Sequence, residues 1–263
     1  MGVFGRDHGA MRREERSVEA FDRVRLDGAG AVDVTLGDTE RVVVEAPEDL
    51  LDDIVTRVEH GTLELGVRQG FHIRFWRGEA VRYAVTARAL RGLAIDGSGS
   101  IQAPALRSEA AAVAIDGAGR ISVGEVDAAE FHVEIDGSGR IGVERARTRA
   151  TRLNIDGAGT VNIDRIEGND VDIEIDGMGR VTTAGTAERL SVVIDGTGEA
   201  NAAALYANDV DVRIDGVGKV RAHADKTLDV RIDGFGRVEY DGNPTVRKHI
   251  DGAGRVVRAG GAG

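Results

Sequence analysis

The chain has 263 residues and no cysteine; 41% of its side chains are hydrophobic, only 4% are aromatic, and 34 basic groups face 45 acidic ones for a net charge of −11. Disulfides, zinc–thiolate sites and thiol nucleophiles are therefore excluded, and the acidic balance argues against a nucleic-acid binder or a protein docked on anionic lipid. No stretch approaches the roughly 18 apolar residues of a membrane span, and the first residues carry no apolar run of signal-peptide length, so as written the chain reads as cytoplasmic.

Residues 1–18 are polar and basic and read as a loose tail. Residues 19–92 form a strand-rich N-terminal part that caps the repeats beyond it. Val24 and Leu26, then Val32, Val34 and Leu36, then Val42 and Val44 alternate with polar neighbours as strands do. The stretch from Pro47 to Ile54 predicts one or two helical turns, with the proline near the start where its missing N–H costs nothing. Thr56 to Glu59, a His60-Gly61 turn and Thr62 to Val67 predict a hairpin. Val81, Tyr83 and Val85 begin the strand that leads into the repeats.

From residue 93 to 258 one phrase governs the chain. Asp-Gly-x-Gly occurs ten times, at Asp27 and then at Asp96, Asp116, Asp136, Asp156, Asp176, Asp195, Asp215, Asp233 and Asp251. From Asp96 the steps are 20, 20, 20, 20, 19, 20, 18 and 18 residues. Such a period marks a solenoid in which each repeat is one coil stacked on its neighbours. In the coil that starts at Ile115, residues Ile121 and Val123 point inward, a looser corner follows around Val126, and Phe131, Val133 and Ile135 point inward again. Two glycines in every repeat and mostly β-branched inward positions disfavour helices. The fold class expected is all-β, a single-stranded parallel β-solenoid of about nine coils and roughly 40 Å. Residues 259–263 are a Gly-rich tail.

Stacked aspartates about 4.8 Å apart would repel by roughly 1 kcal/mol in water and about 3–4 at an effective dielectric of 20. The expectation is a corner device: each Asp accepts N–H bonds from its own turn, and basic residues four positions on (Arg120, Arg140, Arg180, Lys219, Arg237, Arg255) form a balancing column. A calcium-binding β-roll is the alternative, but its repeats are nonapeptides of the form G-G-x-G-x-D, with the Asp after the glycines and a shorter period. A glycosidase pair needs two carboxylates in different environments, which a regular ladder does not supply. A carbohydrate or substrate groove would need concave polar or aromatic clusters that break the repeat, and the repeats read as too regular for one. The six histidines fall at unrelated places in the repeat and form no metal motif. No catalytic residue, cofactor or metal ligand is assigned, and no enzyme is expected.

The cadence resembles the putative auto-transporter adhesin, head GIN domain family. Ile95-Asp-Gly-Ser-Gly-Ser-Ile101 and Ile135-Asp-Gly-Ser-Gly-Arg-Ile141 match its repeat, with Asp at the family's first Ser. Arg16-Ser-Val-Glu-Ala-Phe21, Gly61-Thr-Leu-Glu-Leu65 and Tyr240-Asp-Gly-Asn-Pro-Thr-Val246 follow its opening, middle and end. The resemblance covers about residues 14–258. It implies a right-handed β-helix with a strand-rich N-terminal part, a cell-envelope location and no enzymatic activity.

Phe71-His-Ile-Arg-Phe-Trp76 gathers three of the chain's ten aromatics. Phe71, Arg74, Phe75 and Trp76 are the expected contact patch for a partner or for self-association, since Trp and Arg are enriched at hot spots. Met178, Val217 and Phe235, at the variable position of the motif, read as isolated exposed tips. A thin C-terminal end offers an unpaired β edge, which makes a homo-oligomer or end-to-end filament the alternative function.

Overall fold

Backbone pairing in the computed structural model, which describes residues 10–68 and 81–259, is almost wholly parallel and in register from one repeat to the next. The strands in chain order are β1 (Met11–Arg16), β2 (Arg23–Gly28), β3 (Ala31–Leu36), β4 (Arg41–Pro47), then a 3-10 helix (Glu48–Asp53), β5 (Ile54–Glu59), β6 (Thr62–Val67), β7 (Arg82–Ala87) and β8 (Gly92–Gly97). The coils continue as β9 (Ser100–Gly117), β10 (Arg120–Gly137), β11 (Arg140–Gly157), β12 (Thr160–Glu167), β13 (Asp170–Gly177), β14 (Arg180–Ile194), β15 (Thr197–Ile214), β16 (Val217–Ile232), β17 (Phe235–Asp241), β18 (Thr245–Ile250) and β19 (Arg255–Arg258). They make a β-solenoid of about eight turns. The expected nine is corrected because nine motifs from Asp96 to Asp251 enclose eight intervals.

Each coil has three sides, not two. In β10 the buried side chains are Ile121 and Val123, then Val126 and Ala128, then Phe131, Val133 and Ile135. Alternation puts every second residue inside. At 123 to 126 and at 128 to 131 it slips by one residue, and the chain turns at each slip. Val126 is thus a core residue on a short side of its own rather than a corner. Stacked one coil apart, these positions form continuous columns, such as Ile115–Ile135–Ile155–Ile175, in a core nearly free of polar groups.

The third turn is Asp-Gly-x-Gly, and its two glycines serve different ends. Gly137 has φ +121°, and a Cβ there would lie 2.4 Å from the carbonyl oxygen of Gly117 one coil below. Gly139 is buried, and a Cβ there would lie 2.6 Å from Cγ2 of Ile115. The first glycine lets the backbones of adjacent corners approach; the second makes room for the core isoleucine. Backbone bonds then tie coil to coil: Ser138 N–H donates to Gly117 O at 2.7 Å, and Ala158 N–H to Gly137 O at 2.7 Å.

The irregular steps of 19 and 18 are absorbed elsewhere. Register slips between Ile163 and Ile166 opposite Thr183 and Gly185, and again at Ala202 to Tyr206 opposite Ala222 and His223, always in the middle of the coil. Gly185, at φ +123°, is needed at the first slip because a Cβ would collide with Ile166 O.

The N-terminal part is woven into the solenoid. Asp27 of β2 pairs with Asp96 of β8, and Ala31 of β3 with Ser100 of β9, so residues 23–36 are a coil in the same stack, 69 residues ahead of its neighbour. The excursion 37–91 returns to extend both sheets: β6 lies parallel outside β2 and carries β5 antiparallel, while β7 lies outside β3 and carries β4. His60 and Gly61, at φ +50° and +74°, close the β5–β6 hairpin as expected. The reading of residues 1–18 as a loose tail is corrected for 11–16. These form β1, antiparallel to β4, with Arg13 on Glu45 at 3.0 Å and Arg41 on Glu15 at 2.6 Å. A two-sided polar edge strand accepts a charged sequence that carries no apolar alternation.

Candidate functional site

The aspartate column is real in register: Asp27, Asp96, Asp116, Asp136, Asp156 and Asp176 stack partner on partner, and Asp195, Asp215, Asp233 and Asp251 continue it. Two expectations about it are corrected. The turn is held by the coil-to-coil backbone bonds; among the described residues no backbone N–H of the turn donates to a corner carboxylate. Nor does the basic column four residues on neutralise it: Arg180 pairs with Glu199 at 3.2 Å and Arg237 with Glu239 at 2.6 Å. The side chains that reach the column stand two residues before it. Arg25 Nε meets Asp27 at 2.9 Å and its terminal nitrogen Asp96 at 3.0 Å; Arg213 meets Asp215, and Arg231 meets Asp233, each at 2.8 Å; His249 meets Asp251 at 2.9 Å. Among the described residues no basic side chain pairs with Asp116, Asp136, Asp156, Asp176 or Asp195. No three His, Asp or Glu side chains among the described residues converge where a metal could sit.

The C-terminal coils carry a continuous network of charges. Arg180, Glu199, Arg221, Glu239 and Arg237 form one chain of ion pairs across four coils. Hydrogen bonds from Arg221 and Arg237 hold the Glu239 carboxyl below the usual carboxylate range, and the Arg231 hydrogen bond does the same for Asp233. Asp211 goes the other way: burial raises it first, the stacked Asp229 second, against a weaker opposing pull from Arg213.

A concavity of about 600 Å³ lies on the flank of the N-terminal coils. One wall is a straight outward column, Asp33–Gln102–Ser122–Gly142–Asn162, set by the pairing of β3, β9, β10, β11 and β12. The next column supplies Pro104, Gly124, Glu144 and Asp164. Outward side chains are short at the centre, where Ser122, Gly124 and Gly142 leave the surface hollow, and polar at the ends. Asn162 donates to Asp164 at 2.5 Å. None of the lining residues is basic or aromatic. The inward columns are regular, whereas this outward one changes residue at every coil. Its signal in the sequence is the loss of side-chain size at 122, 124 and 142, visible only once repeats are aligned.

The expected contact patch of Phe71, Arg74, Phe75 and Trp76 lies outside the described residues. Met178, Val217 and Phe235 are exposed, at 70%, 52% and 66%. Val217 and Phe235 are not isolated, because Thr197, Val217 and Phe235 stack in one column along the corner edge. In the last described coil Lys248 pairs with Val230, in the inward column Val192–Val212–Val230. A charge thus occupies the core position of the edge strand. Among the described residues no helix is long and apolar enough to cross a membrane.

No curated protein matches this sequence. Among solved structures the chain is similar to a putative adhesin from Parabacteroides distasonis (18% identity, 95% of this chain and 98% of that one, TM-score 0.72). It is also similar to a putative adhesin from Parabacteroides merdae (17%, 95% and 97%, TM-score 0.68) and to a putative lipid binding protein from Parabacteroides distasonis (20%, 95% and 97%, TM-score 0.65). At these identities the likeness speaks for the fold. The model of the family described as putative auto-transporter adhesin, head GIN domain, matches residues 20–146 and 141–244, and the chain belongs to that family.

Proposed function

We propose that this protein is a non-enzymatic, adhesin-like module that works by surface contact, presenting the flank of a rigid rod. The observation that carries the reading is the flank itself: inward columns repeat from coil to coil, while the outward column from Asp33 to Asn162 varies and borders an open concavity. A solenoid whose core is fixed by its period is free to vary one outer column for recognition. The corner aspartates Asp96 to Asp251 are, in this reading, solvated turn residues rather than a metal or catalytic site. Family membership favours action at the cell envelope. The rods act singly: Lys248 in an inward column places a charge where a second copy would stack, a device that discourages edge-to-edge pairing.

Beads coated with the purified protein, overlaid on a panel of fixed bacterial and epithelial cells, test this reading. Retention above that of albumin-coated beads on at least one surface is expected. Equal retention on every surface would refute contact as the function.

A further inference from the structure

We infer that the outer edge of β4 is a strand-addition site for an extended peptide with apolar residues at alternate positions, and that β1 is its displaceable occupant. The site is independent of the flank. Among the described residues β1 pairs with β4 alone, antiparallel, with Arg12 opposite Ala46, Glu14 opposite Val44 and Arg16 opposite Val42. Residues directly opposite in such a pair share a face of the sheet. Val42, Val44 and Ala46 are fully buried. β1 therefore sets three charged side chains on the core side of the sheet, where the pattern of β4 calls for apolar ones.

These charges are accommodated without being packed. Arg16 pairs with Glu14 at 2.8 Å and donates to the Leu51 carbonyl of the 3-10 helix at 2.9 Å. Arg12 reaches Glu48 at 3.3 Å, with both side chains exposed. On the other face Arg13 meets Glu45 and Arg41 meets Glu15. Exposed ion pairs of this kind contribute little and are screened by salt. No residue of β1 is buried. The strand is held by its backbone ladder and its surface charges, so it is the part of the sheet that opens most readily.

The edge itself selects the entering ligand. A row of ladder N–H and C=O groups is matched by an extended backbone. The inner row of Val42, Val44 and Ala46 favours apolar side chains at three alternate positions. Between them Glu45 favours a basic residue and Arg41 an acidic one, the places that Arg13 and Glu15 now fill. A strand reading apolar, basic, apolar, acidic, apolar repeats the outer-face pairs of β1 and puts apolar groups where β1 has charges.

The test uses the full chain and fluorescein-labelled hexapeptides, read by anisotropy. Leu-Val-Arg-Val-Glu-Val follows the pattern, Met-Arg-Arg-Glu-Glu-Arg copies β1, and Arg-Glu-Leu-Val-Val-Val keeps the first composition without its alternation. The patterned peptide is expected to bind at least tenfold tighter than the other two. The chain has no cysteine, so Arg13→Cys with Glu45→Cys, which face each other, places a single disulfide between β1 and β4. Oxidation of that variant should abolish binding and reduction should restore it. Should the disulfide not form, Arg12→Val, Glu14→Val and Arg16→Val together give the chain its own apolar β1 and are expected to weaken peptide binding at least tenfold with a raised Tm. No binding of the patterned peptide, or equal binding of all three peptides, would overturn the inference. Equal binding to the oxidised and reduced variants places the site elsewhere and also overturns it. If a mixture of the two single-cysteine variants crosslinks into dimers, the edge takes β1 of a second copy and the peptide inference falls.

Discussion

Replacing Gly137 by alanine tests the account of the corner most directly. The residue sits at φ +121°, a conformation that L side chains rarely adopt, and its added Cβ would lie 2.4 Å from Gly117 O. A relaxed carbon–oxygen approach is about 3.3–3.6 Å, so the two coils must part locally by about 1 Å. Backbone strain of this kind costs about 1–3 kcal/mol. Parting the coils also stretches the 2.7 Å bonds Ser138 N–H to Gly117 O and Ala158 N–H to Gly137 O, each worth about 0.5–1.5 kcal/mol. A loss of about 2–4 kcal/mol is expected. Gly142→Ala, five residues away on the next stretch of coil, meets nothing within 4 Å and removes unfolded-state entropy, so it should be neutral or stabilise by up to about 1 kcal/mol. Urea unfolding at 25 °C, followed by circular dichroism, gives both values, and hydrogen exchange at the Ser138 amide reports the corner itself. Equal stability of the two variants, or unchanged Ser138 exchange in Gly137→Ala, would refute the claim that the first glycine sets coil spacing.

Lys248→Val restores the inward column at the last described coil and should raise the sedimentation coefficient in a concentration-dependent way; a monomer at every concentration would remove Lys248 as the barrier to stacking. Asp233 and Glu239 have lowered values in the folded state, so their stabilisation is full above the ordinary carboxylate value of about 4 and is lost as pH falls through the folded values. The C-terminal coils should therefore exchange amide hydrogens before the central ones below pH 4 or so. Asp211 is raised, so its charge opposes folding above that raised value, and Asp211→Asn should increase Tm at pH 7 with the gain shrinking as the medium is acidified. Asp136→Asn should raise Tm more at low salt than at high salt, because the central carboxylates stack without a cation. Added calcium should leave Tm unchanged; a rise would instead establish a metal in the column.

Sequence reading reached the parts of this fold that recur at fixed intervals along the chain. The inward isoleucines and valines, the turn glycines and the order of coils follow from one period, because stacking equates each residue with its image about 20 positions on. The third side was equally present, in the three-residue spacings Val123 to Val126 and Ala128 to Phe131, each of which marks a slip in the alternation. The place of Asp27 was hidden for a different reason. Its image lies 69 residues away, and the intervening strands have the same composition as the coils, so nothing local marks 37–91 as an excursion.

The partners of the aspartates turn on a point of geometry that sequence spacing alone obscured. Residues two apart on a strand share a face, whereas four residues after Asp the chain has rounded the corner onto another side. The side-chain partner of an Asp must therefore stand before it, as Arg25, Arg213, Arg231 and His249 do, and the arginines after the glycines face another side. Those partners lie toward the two ends of the stack, yet missing neighbours do not account for them: the strands that carry Arg25, Arg213 and Arg231 are paired on both sides, and only that of His249 is paired on one. The positions two before Asp116, Asp136, Asp156, Asp176 and Asp195 are Ala, Glu, Asn, Glu and Val. Backbone pairing from coil to coil thus holds the charged corner throughout the rod, and side-chain partners add to it where the residue two positions ahead can reach the carboxylate.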